Sequence, residues 1–267
     1  MTISLFFLGY ILLGFMAGFL SGLLGIGSGL IIVPALLYLF ESQVMSGPLM
    51  HMATATSLTS MILVTAASAF AHWRKGSIDF LIWRGIVPGS FFGVICGASI
   101  ADLLPANDLE NAFGCFMIFS AYRMFAGAKQ PIASSPKRYA FWVQLAFGFI
   151  AGTVTGVLGI GGGVLVVPFI LKQQLPSKIA SGTAVACAFP TVVIGAITTM
   201  LTGSNEVGLP LHTVGYVFYP AALTVGLASI FTARFGTHLA HRLPTQTIKQ
   251  LFAILMAVIG AEMLFLR

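Results

Sequence analysis

The chain is predicted to be an all-α polytopic membrane protein made of two homologous halves, and three observations carry that prediction. First, 58% of its 267 residues are hydrophobic and only 7% are charged, with a mean hydropathy of +0.99. A soluble domain of this size has no way to hide so much apolar surface. Second, two stretches nearly repeat one another: Gly25-Ile-Gly-Ser-Gly-Leu-Ile-Ile-Val-Pro34 and Gly159-Ile-Gly-Gly-Gly-Val-Leu-Val-Val-Pro168. Third, two more blocks recur in the same order. Ala53-Thr-Ala-Thr-Ser-Leu58 matches Ala180-Ser-Gly-Thr-Ala-Val185, and the Gly97–Pro105 segment matches Gly236–Pro244. A duplicated, glycine-broken membrane helix is the pattern of a transporter.

Apolar runs fall at about 3–24, 28–40, 51–73, 80–103 and 109–127, and after a polar linker the order returns at about 139–158, 162–172, 179–202, 211–240 and 246–266. The halves are therefore 1–127 and 139–267, joined by a cytoplasmic linker at 128–138. Crossing a bilayer core of roughly 30 Å takes about 20 helical residues. Leu30–Phe40 and Val164–Lys172 are too short for that, so each is expected to form a bent or re-entrant pair with the helix before it. Three transmembrane helices follow each pair. Irregular backbone at membrane depth is tolerated only where protein buries it or it lines a watery cavity. The first apolar run lacks a basic flank, since the first basic residue is Arg74, and is expected to be retained rather than cleaved.

The formal net charge of +6 reads as positive-inside anchoring, not as a nucleic-acid surface, because most Lys and Arg sit between apolar segments. Arg74, Lys75 and Arg84 flank one loop, and Arg123, Lys129, Lys137 and Arg138 crowd the linker. Lys172 and Lys178, then Arg234, Arg242 and Lys249, form further basic loops, whereas Glu41, Asp102, Asp108, Glu110 and Glu206 mark acidic ones. An odd number of net crossings per half puts every basic loop on one side and makes the halves an inverted repeat with both termini outside. An even number leaves two basic loops outside and is the competing topology. Cys96, Cys115 and Cys187 lack C-x-x-C spacing and read as packing residues, with a redox or sulfur-relay role as the alternative.

A helix that begins just after Gly29 or Gly163 presents orphan N–H groups and the positive end of its dipole, while glycine lets backbone approach a ligand closely. Two such ends facing one cavity make an anion site without a buried cation. The competing reading is close helix packing, which is the role given to Gly14, Gly18 and Gly22. Thr54, Thr56, Ser57, Ser181 and Thr183 are expected near the breaks, either as helix caps or as donors to an oxyanion. Ser28 aligns with Gly162, which argues for binding led by backbone. Snorkelling accounts for most ionisable residues, and His51 and His72 are the candidates for proton coupling.

The paired glycine–proline stretches, the A-x-x-T segments and the duplicated layout resemble the TauE/SafE family of sulfite and organosulfonate exporters, over essentially the whole chain. The resemblance implies a permease, in a bacterial inner membrane, for small sulfur-containing anions such as sulfite, sulfoacetate or thiosulfate. By position it marks Gly25, Gly27, Ser28 and Gly29, Gly159, Gly161, Gly162 and Gly163, with Thr56 and Thr183; Ser57 joins them from the hydroxyl reading above. Ser28 replaces a glycine of the family pattern, and Ala55 stands where a glycine is expected before Thr56. A coupling ion (H⁺ or Na⁺), a homodimer and the direction of transport stay open, and no cofactor is implied. Enzyme signatures are missing: Ile26-Gly27-Ser28-Gly29 is not a rhomboid G-x-S-G, and H-E-x-x-H and G-x-x-x-x-G-K-[ST] do not occur. A membrane-embedded scaffold without transport activity is the rival reading.

Overall fold

The structure is a computed structural model that describes residues 2–24, 28–43, 45–126, 138–239 and 245–265. Gly25 and Gly27, and the linker apart from Arg138, lie outside these residues. The helices in chain order are α1 (Thr2–Leu24), α2 (Gly29–Ser42), α3 (Leu49–Arg74), α4 (Phe80–Leu103), α5 (Ala106–Ala126), α6 (Phe141–Leu158), α7 (Gly163–Lys172), α8 (Ser177–Thr202), α9 (Tyr219–Leu239) and α10 (Thr245–Phe265). Among the described residues, the segments long and apolar enough to cross a membrane are Leu49–Arg74, Phe80–Leu103, Phe141–Leu158 and Ser177–Asn205, while α2 and α7 are short apolar helices.

The expected run at 211–240 divides in two. Its first part is a hairpin, β1 (Thr213–Val214) paired antiparallel with β2 (Val217–Phe218), and the helix starts only at Tyr219. β-Branched and aromatic residues flank Gly215, whose φ of +55° supplies the first central position of a tight hairpin turn.

Glycines set how the helices cross. Gly85, Gly89, Gly93 and Gly97 line one face of α4, and Gly148, Gly152 and Gly156 line the facing side of α6. A Cβ on Gly89 or Gly93 would collide with the carbonyl of Leu145 or Phe149, and one on Gly148 or Gly152 with that of Ile86 or Ser90. The two backbones are thus in contact, as small-residue tracks spaced by four allow in a membrane. Gly14 and Gly18 play the same part where α1 crosses α9, against Val225, Ala228 and Ser229, and Ser229 Oγ donates to Gly14 O at 2.9 Å.

The pairing is symmetric under exchange of the halves. The partner of α1 is α9 and that of α6 is α4; α3 packs on α9 and α8 on α4; and α3 meets α8 as α5 meets α10. Each half therefore leans on the other rather than folding around its own core, and the largest apolar cluster draws on both. Register gives the directions. Along α4, Gly85, Gly89 and Gly97 meet Gln144, Leu145 and Thr153 in rising order, so α4 and α6 run parallel, and α1 and α9 do likewise. Gly182, early in α8, touches His72 and Ser77 at the end of α3, whereas Gly195 touches Leu58. Hence α3 and α8 run antiparallel. So do α5 and α10, where Gly114 meets Leu264 and Gly260 meets Ile118.

Candidate functional site

The two glycine breaks meet at the middle of this bundle. A Cβ on Gly29 would lie 2.8 Å from Gly159 O, 2.8 Å from the Cα of Ile160 and 3.0 Å from Met61 Sδ. Gly159 ends α6 in the left-handed region (φ +67°), its N–H bonded to Thr155 O at 2.9 Å, and a Cβ there would meet Thr54 Cα at 2.7 Å. Gly162 starts α7, also left-handed at φ +62°. Both positions require glycine, for conformation and, at Gly159, for space as well. Ser57 Oγ donates to Gly159 O at 3.0 Å, and Gly161 rests on the end of Met61. Through Thr54, Ser57 and Met61, α3 supports the second break and, at Met61, touches the first.

At the first break the Ser28 carbonyl accepts from Ile31 N and Ile32 N at 3.0 and 3.1 Å, so its backbone caps α2. Its side chain does not: Ser28 is 2% exposed and Oγ has no partner. A buried hydroxyl without a partner at the positive end of a 14-residue helix is a donor waiting for an acceptor. Pro34 and Pro168 occupy the same place inside α2 and α7, and each removes one i→i−4 bond close behind the break.

Behind Gly162 lies a cavity of about 10 Å³, lined by Ser90, Thr155, Thr191, Cys187 and apolar side chains, which holds about one water molecule. Ser90 Oγ and Thr191 Oγ1 are 2.9 Å apart in its wall. That cavity is far smaller than a multi-atom ligand requires. Among the described residues no group of three His, Cys, Asp or Glu side chains is placed to hold a metal.

Thr56 and Thr183 are not brought to the breaks. Thr56 Oγ1 accepts from Phe218 N at 3.0 Å, and Thr183 Oγ1 from Asp79 N at 2.9 Å. Phe218 and Asp79 are equivalent residues of the repeat, each immediately preceding its helix, α9 or α4. The two threonines are thus a matched pair of anchors, each fixing the start of a helix in the other half. Asp79 Oδ1 also accepts from Leu81 N and Ile82 N, and Oδ2 from Arg138 at 2.7 Å. Thr56→Val and Thr183→Val each orphan a backbone N–H and cost about 1–3 kcal/mol. The check is the melting temperature of the purified protein, which falls for both variants. Ser181 is half-buried in α8.

Charge divides by end. Arg74, Lys75, Arg84, Arg123, Arg138, Lys172 and Lys178 lie where α3, α5 and α7 finish and α4, α6 and α8 start, an end tied together by the Thr183–Asp79 and Tyr139–Gln173 hydrogen bonds. Glu41, Asp102, Asp108, Glu110 and Glu206 lie at the opposite end. There Tyr216, at the turn of the hairpin, donates to Asp102 Oδ1 at 2.8 Å. Burial, and next the Asp102 carboxylate, push the Tyr216 phenol above its ordinary range, so it remains a donor. His51 Nε2 is 2.9 Å from Ala101 O at the same end.

Comparison with known proteins gives the family. The family described as "Sulfite exporter TauE/SafE" matches residues 10–263. A "probable membrane transporter protein" of Haemophilus influenzae is 31% identical over 255 residues, covering 95% of this chain and 96% of the relative. A Bacillus subtilis protein with the same description is 27% identical, covering 96% of each chain. "Sulfite exporter TauE/SafE family protein 5" of Arabidopsis thaliana is 28% identical over 116 residues, 43% of this chain and 26% of its own. These relatives are transporters rather than enzymes, and the chain is a polytopic membrane transporter belonging to the TauE/SafE family.

Proposed function

We propose that this transporter moves small sulfur-containing anions, such as sulfite, sulfoacetate or thiosulfate, across a bacterial inner membrane by alternating access around the two glycine breaks. The observation that carries the proposal is the meeting of those breaks, with the unpartnered Ser28 hydroxyl buried at the start of α2. An oxyanion held there accepts from Ser28 Oγ and from Val164 N at the opening of α7, where Gly162 N and Gly163 N turn back on Ile160 O and Gly161 O, and it faces the N-terminal end of α2, so its charge is met by dipoles rather than by a buried cation. Gly25, Gly27, Gly29, Gly159, Gly161, Gly162 and Gly163 give the backbone room to approach the ligand. Ser57 holds the second break from below, and Thr56 and Thr183 hold α9 and α4 in place around it.

The helix directions support an inverted repeat. Helices exchanged by a two-fold axis in the membrane plane run antiparallel, and the equivalent pairs α3/α8 and α5/α10 do so. With the basic end in the cytoplasm, the linker is inside and both termini are outside. In a cysteine-free background, a cysteine at position 130 is then labelled by an impermeant maleimide only after the cells are opened, and one at position 46 in intact cells. The reverse labelling contradicts this orientation.

The cavity behind Gly162 is too small for a sulfur oxyanion, and in the proposed cycle one half rocks against the other and parts the breaks. Counterflow in proteoliposomes tests this. Radiolabelled sulfite outside is expected to accumulate transiently against unlabelled sulfite, thiosulfate or sulfoacetate trapped inside, and not against trapped acetate or chloride. Absence of exchange with every sulfur anion overturns the proposal and favours a scaffold without transport activity.

A further inference from the structure

We propose that His51 is a proton-binding residue of the transport cycle, its Nδ1 taking a proton from water at the acidic end of the bundle; this rests on the transport reading above.

His51 lies in the first turn of α3 and is 93% buried (7% exposed). Its Nε2 faces Ala101 O at 2.9 Å. A carbonyl only accepts, so Nε2 carries the hydrogen, and the neutral ring leaves Nδ1 as a bare lone pair. That nitrogen is buried and has no partner. The neighbouring hydroxyl does not reach the ring, since Thr54 Oγ1 donates to the His51 carbonyl instead. A packing or anchoring role uses Nε2–H alone and gains nothing from a second, unpaired nitrogen, which costs stability unless it has work to do.

The groups around the ring are neutral or acidic. Tyr216 lies against it, centroids 5.3 Å apart, and donates to Asp102, the residue directly after Ala101. Glu206 bears on Tyr216 from the loop after α8. The other elements packed on α3 at this end add acids only: α2 finishes with Glu41, and α5 opens with Asp108 and Glu110. The described residues of α8 and α9 bring no charge here, and no Lys or Arg among the described residues lies at this end. Protonation turns Nδ1 from acceptor into donor, and the Asp102 carboxylate, held by Tyr216 against the ring, is the acceptor it competes for. Competition for Asp102 loosens the hairpin, whose Phe218 is tied to Thr56. Next to Thr56 on the same helix is Ser57, bonded to the second break. A proton at His51 therefore has a short mechanical route to the anion site through α3.

The test variant is His51→Gln, whose amide still donates to Ala101 O but does not protonate. Thiosulfate is the probe, because it does not titrate near neutrality. Wild-type flux in proteoliposomes is expected to change about tenfold between about pH 5.5 and 7.5 on the acidic side, whereas the His51→Gln profile is flat. A loss of equal factor at every pH means a structural role and overturns the proposal, as does a wild-type profile in the variant. An independent reading comes from ¹⁵N-histidine NMR of the detergent-purified protein. A resonance missing in His51→Gln must shift with pH over the range in which flux changes, and one that stays neutral throughout overturns the proposal. Should no sulfur anion move in either protein, the transport reading fails, while the NMR titration still decides whether His51 binds a proton.

Discussion

Gly161→Leu is expected to lower anion flux by one to two orders of magnitude while the protein still folds. A side chain at residue 161 grows toward the methyl end of Met61, with Val192 next nearest at 3.8 Å. The far end of a methionine swings aside cheaply, so the bundle accommodates the change. The new side chain nevertheless fills the space between the second break and α3, into which the break moves in the proposed cycle. Overpacking of this kind costs about 1–3 kcal/mol, and about 1.4 kcal/mol is tenfold in a rate or an affinity. Flux normalised to folded protein is the measurement. Met61→Ala added to Gly161→Leu returns the room and is expected to recover much of the flux. A loss from misfolding would not respond to that second change.

Gly93→Val is the largest stability effect expected. Its Cβ position lies on the Phe149 carbonyl and 2.9 Å from Thr153 N, and backbone on a facing helix has no rotamer to change. Accommodation requires α4 and α6 to separate along a seam built on glycine from both sides, for a cost at the upper end of the ~1–3 kcal/mol typical of overpacked cores. Valine adds a smaller propensity and rotamer effect within the helix. The variant should melt several degrees below wild type in detergent. Phe92→Ala, one residue away on the 65%-exposed lipid side, should leave the melting temperature nearly unchanged.

Much of the fold was legible in the residues. The apolar runs match most helix boundaries within a few residues, because runs near twenty residues and their charged punctuation follow directly from bilayer thickness. Both breaks were legible too, since clustered glycine before a proline has few other uses at membrane depth. The hairpin at 213–218 was hidden by its hydrophobicity: Thr-Val-Gly-Tyr-Val-Phe continues an apolar run, although strand formers on either side of a glycine are a hairpin signal. The α4 glycine track was present at four-residue spacing, but nothing local says that its partner is α6, in the other half. For Thr56 and Thr183, closeness in sequence to the breaks suggested a role at the anion. Their partners sit 162 and 104 residues away, and only the interleaving of the halves brings them together. Ser28 is the reverse case. It was read as a site residue of a backbone-led break, and its side chain became informative once its hydroxyl proved to be buried and unpartnered.

The most direct test of the anion site is thermal stabilisation of the detergent-purified protein by sulfite, thiosulfate, sulfoacetate, sulfate, acetate and chloride. A ligand that binds only the folded state raises its apparent stability by about 2.7 kcal/mol at a hundred times its Kd. The predicted result is selective stabilisation by a sulfur oxyanion, reduced in Ser28→Ala and lost in Gly161→Leu. Equal stabilisation of wild type and both variants would contradict a site at the glycine breaks.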